Sequence, residues 1–210
     1  MAGERNFDTE AARWDEDPGR VKLAKDIARA IKETIPLTKT MDVLDYGCGT
    51  GLLMLQLQPL VHSVTGIDSS QGMLDALNAK VRAQGLDNVN FRFADLSKGA
   101  VLDGKYDLVV SSMTFHHIRD VQAVLGQLAS VVKPSGYLVV ADLDSDDEKF
   151  HDSNEGVFHF GFDRCTMKKH FEVVGLTSIR NRTAAMFEKP SLSGEKQVFS
   201  VFLMTGRKAQ

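Results

Sequence analysis

Cysteine is nearly absent from this chain of 210 residues: Cys48 and Cys165 are the two, far apart and in no metal-binding spacing. A disulfide framework is therefore not the basis of the fold, and two reduced thiols in a cytoplasmic protein are the expectation. Long apolar runs are missing too. No stretch approaches the roughly 20 residues that span a bilayer. The opening "MAGERNFDTEAARWDEDPGR" lacks the apolar core of a signal peptide. No membrane partner is expected. Charge of one sign is also scarce: 25 Lys and Arg face 28 Asp and Glu, a net −3. No global basic field draws nucleic acid or anionic lipid. Internal repeats are lacking. The acidic run "DLDSDDEKFHDSNE", from Asp142 to Glu155, reads as a solvated loop.

What is present is an ordinary globular composition, 43% hydrophobic and 25% charged. The length suits one domain with a filled core. Residues 1–36 are expected to form a helical cap or lid and residues 37–210 the core, as a monomer or homodimer. Val21, Ala24, Ala28, Ile31 and Ile35 recur at helical spacing until Pro36. "MDVLDY", "HSVTGID", "NVNFRFAD", "YDLVVSS" and "YLVVADL" read as strands. Between them stand a short helix in "LLMLQLQ" and longer ones opened by Ser69 or Ser70 and by Asp120, with "KPSG" as a turn before the fifth strand. Asp163 opens another helix, and two closing strands follow, joined by "EKPSLSGE". The pattern predicts an α/β, doubly wound, Rossmann-like sheet of seven strands. It is mostly parallel with helices on both faces, and consecutive closing strands make one C-terminal strand antiparallel.

In such a sheet ligands bind beyond the carboxyl ends of the strands. The first strand runs into "VLDYGCGTG", with Asp45 followed by Gly47, Gly49 and Gly51. Bare glycines let backbone approach a ligand closely. Asp68 ends the second strand 23 residues after Asp45, at the distance where a carboxylate accepts from both hydroxyls of a ribose. Asp95 ends the third. Together these residues point to an adenosine-containing ligand. A dinucleotide fingerprint would place its third glycine at Leu52, and a phosphate loop would end in Gly-Lys. An acid at Asp45 is awkward beside a pyrophosphate and suits a ligand with ammonium and sulfonium charges. Cys48, between two glycines, reads as a small spacer.

"VLDYGCGTG", "GIDSSQGML", "FRFADLS", "YDLVVSSMTFHHI" and "LASVVKPSGYLVVAD" resemble, in order and spacing, the motifs of class I S-adenosylmethionine-dependent methyltransferases. The wording is similar to the small-molecule group that includes the ubiquinone and menaquinone biosynthesis enzymes. The resemblance implies S-adenosylmethionine as cofactor. The backbone at Gly47, Cys48, Gly49 and Gly51 would lie against its methionine part, with Asp45 near the amino group. Asp68 would take the ribose hydroxyls, with Ser69 and Met73 along ribose and adenine. Asp95 and the Leu96 backbone would read the adenine edge, and the Ser112 backbone would help hold the amine.

Transfer from a sulfonium is an in-line displacement that needs alignment and dryness more than a base. The candidate bases are His117, past the fourth strand, and Asp142, past the fifth. His116 ranks lower because adjacent side chains point apart. His151 and His159, near the expected substrate mouth, are read as exposed or locally satisfied. Trp14 reads equally as a lid or an anchor, and Arg13 and Arg20 as surface groups. The acceptor is expected to be a small molecule. The fourth strand does not exit in an Asn/Asp-Pro-Pro-aromatic signature, no Pro-Cys pair exists, and no basic strip carries interleaved aromatics. A protein methyltransferase and a non-catalytic S-adenosylmethionine-binding module are the alternatives. The glycine spacing disfavours a nicotinamide oxidoreductase.

Overall fold

In the computed structural model of the chain, which describes residues 6–145, 150, 154–190 and 196–210, local chemistry sets where each element starts and stops. After a short α1 (Phe7–Glu10) and a 3-10 stretch, Asp17 opens α2 (Pro18–Thr34). Its carboxylate accepts from the Gly19 amide at 2.7 Å, and Pro18 occupies a first-turn position that needs no amide donor. The short α3 (Met54–Leu57) gives way to a 3-10 turn containing Pro59. Ser70 caps α4 (Gln71–Gln84), which Gly85 closes at φ +61°. Asp120 caps α5 (Val121–Val131) and Asp163 caps α6 (Arg164–Val173).

The strands are β1 (Asp42–Tyr46), β2 (Ser63–Asp68), β3 (Val89–Phe93), β4 (Tyr106–Ser112), β5 (Val132–Leu143), β6 (Leu176–Pro190) and β7 (Lys196–Lys208). They form one sheet in the order β3-β2-β1-β4-β5-β7-β6. β7 runs antiparallel to both β5 and β6, and the remaining pairings are parallel. This is the mixed sheet that the consecutive closing strands predict. Each face carries its own core. Ile27, Ile31, Val43, Met54 and Leu77 fill one side, and Leu44, Leu125, Leu128, Phe171 and Phe202 the other. Alternate residues of β1 thus serve opposite cores, as a doubly covered strand requires. The strand order reverses between β1 and β4, and this opens a crevice at their carboxyl ends.

Two sequence readings are corrected. "KPSG" is a bulge inside β5 rather than a turn before it. Val132 pairs with Tyr106 and Tyr137 with Leu108, so the extra residues loop out, with Ser135 at φ +62°. The acidic run does not begin as a solvated loop. Asp142 is a buried strand residue, and Asp144 is gripped by both Nε and Nη2 of Arg164 at 2.6 Å each. Residues 146–149 and 151–153 of that run, His151 among them, lie outside the described residues, as do residues 191–195 of the hairpin turn.

At the opposite end of the strands, Lys133 donates to Asp107 at 2.7 Å and to Asp42 at 3.1 Å, tying the starts of β1, β4 and β5. Hydrogen bonds from His62 and Ser63 outweigh partial burial, and with Lys133 they bring the Asp42 carboxyl down to about 2. A folded-state value below the unfolded one stabilises above the ordinary carboxylate range, and the contribution is lost as pH falls through about 2. Lys133→Met is expected to cost about 1 kcal/mol at pH 7, or roughly 2–4 °C in Tm. Thermal denaturation across pH should show that gap narrowing steadily below pH ~4; a gap that is constant with pH would contradict the assignment.

Candidate cofactor and acceptor site

The crevice widens into a cleft of about 1790 Å³. Its floor is the loop after β1. Gly47 sits at φ +72°, where a side chain would come within 2.2 Å of Thr114 Oγ1. Gly51 sits at φ +85°, where one would come within 2.5 Å of Leu77. Only glycine meets both demands. The amides of Gly47 and Cys48 donate to the Ile67 carbonyl at 2.8 and 3.1 Å and pin the loop to β2. The Cys48 thiol packs on Gly66, where a Cβ would lie 2.7 Å from Sγ. Burial, with Asp45 and Asp68 nearby, pushes this thiol well above its ordinary range, so it is no nucleophile.

Asp45 is 1% exposed, and neither carboxylate oxygen has a hydrogen-bond partner among the described residues. Burial first, then the charge of Asp68, push its carboxyl up to about 8; the Met54 amide opposes this without reaching hydrogen-bond geometry. Such a group is costly until a cation meets it. Asp68 is better served: it accepts from the Gly49 amide at 2.7 Å and the Ser70 amide at 2.9 Å, one on each oxygen. Burial still raises it. Each oxygen keeps a second lone pair, as a vicinal diol needs. Asp95 caps a short 3-10 turn. Burial works against its charge, but Ser97 and Lys98 prevail and hold it below the usual range. Ser69, Met73, Leu96 and Ser112 line the same cleft.

At the exit of β4, Met113 adopts φ +54°, uncommon outside glycine and typical of constrained functional turns. The kink lays the 3-10 turn Phe115–His117 over the end of β5. There Asp142 accepts from the amides of Phe115 and Leu143, each at 2.8 Å, and meets His116 Nδ1 at 2.7 Å. Both side chains are buried, at 2% and 0% exposure, yet His116 lines the cleft. Burial opposes the Asp142 charge, but the His116 ring and the Leu143 amide hold the carboxyl below its ordinary range.

His117, preferred from the sequence, lines the same cleft. Its Nδ1 lies 2.7 Å from the Gly156 carbonyl and its ring stands edge-on to Phe7. His159 meets the Ile118 carbonyl at 2.9 Å. The 3-10 turn is what brings Asp142 to His116, and no sequence spacing announces it. Trp14 faces the cleft with the Arg20 guanidinium 3.7 Å above its ring, whereas Arg13 is an exposed partner of Glu16.

The methyltransferase domain model matches residues 19–188. The chain belongs to the methyltransferase domain family. It is 40% identical over 119 residues to an uncharacterized methyltransferase of Schizosaccharomyces pombe, covering 53% of this chain and 42% of the relative. It is 29% identical over 123 residues to the nocamycin O-methyltransferase of Saccharothrix syringae, covering 57% and 44%. The matched stretches span less than half of either relative. The crystal structure of a SAM-dependent methyltransferase from Aquifex aeolicus superposes with TM-score 0.66 at 25% identity, covering 94% of this chain and 97% of that one. No helix among the described residues is long and apolar enough to cross a membrane.

S-adenosylmethionine is the cofactor of this methyltransferase domain, and the orphaned carboxylate of Asp45 fits its ammonium group. Without ligand, the raised carboxyl favours the folded state at low pH, and that advantage fades as pH rises through about 8. Asp45→Asn is therefore expected to raise the Tm of the ligand-free domain at pH 8. It should also weaken S-adenosylhomocysteine binding by about tenfold or more. Calorimetry from pH 6 to 8.5 should show wild-type affinity rising with pH and the variant flat; equal pH slopes would refute the pairing.

Proposed function

We propose that this domain methylates a hydroxyl group of a small-molecule acceptor, with His116 taking the acceptor's proton and Asp142 anchoring His116. The observation that carries the reading is the buried His116–Asp142 pair opening on the same cleft as the cofactor residues. Bound S-adenosylmethionine supplies a methyl group already activated by the sulfonium charge. The chain then has to orient the acceptor, exclude water and accept a proton. With Asp142 fixing the proton on Nδ1, Nε2 becomes the basic atom of His116. Asp142 also offsets the positive charge that the ring acquires.

Asp45 would hold the cofactor's ammonium, Asp68 its ribose hydroxyls, and Asp95 with the Leu96 amide its adenine edge. The glycine loop and the Ser112 backbone would complete the methionine end. The cleft is also lined by Leu23, Ile27, Phe150 and Met186, apolar groups that suit an organic acceptor, beside charged groups such as Lys22, Asp26 and Glu188. The nocamycin enzyme among the relatives, an O-methyltransferase by name, supports oxygen as the target.

Labelled S-adenosylmethionine should leave its methyl on small hydroxylated compounds and not on peptide pools. Once an acceptor is in hand, His116→Gln should lower kcat by about 10²-fold. The KM for S-adenosylmethionine should stay unchanged, and a weakly acidic phenol should suffer less than an aliphatic alcohol. A variant as fast as wild type on every acceptor would remove His116 as the base.

A further inference from the structure

Phe7 and Asp8 are adjacent in the chain and reach opposite walls of the cleft. Asp8 Oδ1 accepts from Ser70 Oγ at 2.6 Å and from the Gly72 amide at 2.8 Å. Ser70 in turn donates its own amide to Asp68, the carboxylate assigned to the ribose. The approach is close: a Cβ on Gly72 would lie 3.0 Å from the Asp8 backbone. On the other wall the Phe7 ring stands edge-on to His117, with centroids 5.1 Å apart. His117 lies 4.1 Å from the His116 ring, and His116 meets Asp142. A second clasp holds the same segment. Asp15 accepts from Thr50 Oγ1 in the glycine loop and from Lys80 of α4, both at 2.6 Å. A capping role at α4 explains the bonds of Asp8 but not the run of contacts through Phe7 to the histidines.

We propose that Asp8 is a positioning residue: by bonding to Ser70 and Gly72 it sets Phe7 against His117, and so links the ribose end of the cofactor site to the His116–Asp142 pair. The link rests on the functional reading above, because it gives that pair a purpose. It has its own readout. Imidazole NMR spectra of the full chain can be recorded with and without S-adenosylhomocysteine, with His117 assigned through His117→Gln. The Phe7 ring current displaces the His117 resonances, and Phe7→Leu removes that displacement. Asp8→Asn should move the resonances toward the Phe7→Leu position.

Trp14 is the single tryptophan of the chain, so its fluorescence reports on the clasped segment. With it, S-adenosylhomocysteine release from Asp8→Asn should be about tenfold faster, the loss expected for one charge-assisted contact. If Asp8→Asn leaves the His117 resonances at their wild-type position, the proposal is overturned and Asp8 merely caps α4, whatever happens to release. Failure of the function reading looks different: methyl transfer indifferent to His116→Gln, with the spectra behaving as described.

Discussion

A carboxylate without a hydrogen-bond donor among the described residues, buried where β1 meets the glycine loop, is the constraint on which the rest of this structure depends. Asp45 sits at the point where the sheet order reverses, and the cleft is built around it. Burial and the neighbouring Asp68 make its charge unfavourable in the isolated chain. A residue kept under that cost is one whose partner arrives from outside. The same two acids that repel each other are the ones proposed to meet the ammonium and the ribose diol of the cofactor. On that proposal, destabilisation of the chain and selectivity for the ligand come from one arrangement.

The glycine loop follows from it. To present backbone rather than side chains beside Asp45, the chain turns through positive φ at Gly47 and Gly51 while Thr114 and Leu77 press from either side. Cys48 closes the loop against Gly66 as a small apolar plug. Met113 adds a second strained turn at the end of the neighbouring strand. The two turns leave the loop after β1 and the histidine turn after β4 facing one space. The N-terminal segment spans the two walls, which brings residues far from either loop into the same site.

Much of this was legible beforehand because it depends on local rules. Ser70, Asp120 and Asp163 cap their helices as short polar side chains do. The mixed sheet follows from two closing strands with no helix between them. Asp45, the glycines, Asp68 and Asp95 stand at strand ends, where spacing alone points to a nucleoside ligand. Less legible were the features set by contacts across the fold. "KPSG" has the composition of a turn, but pairing with β4 absorbs it as a bulge. Asp142 stands where a predicted strand runs into an acidic run, and only β7 and the histidine turn decide that it is buried.

The order of elements, the antiparallel strand and the strand-end acids that line the cleft were determined by the sequence itself, through periodicity, capping chemistry and glycine placement, all of which act within a few residues. Tertiary structure decided which of two adjacent histidines meets Asp142, that Asp45 lacks a hydrogen-bond partner among the described residues while Asp68 accepts from Gly49 and Ser70, and that Asp8 reaches α4 across 62 positions. These outcomes depend on the positive φ of Met113 and on how much water the packed helices exclude. Neither has a signature in the order of residues, because burial and approach are properties of the assembled sheet and its two cores.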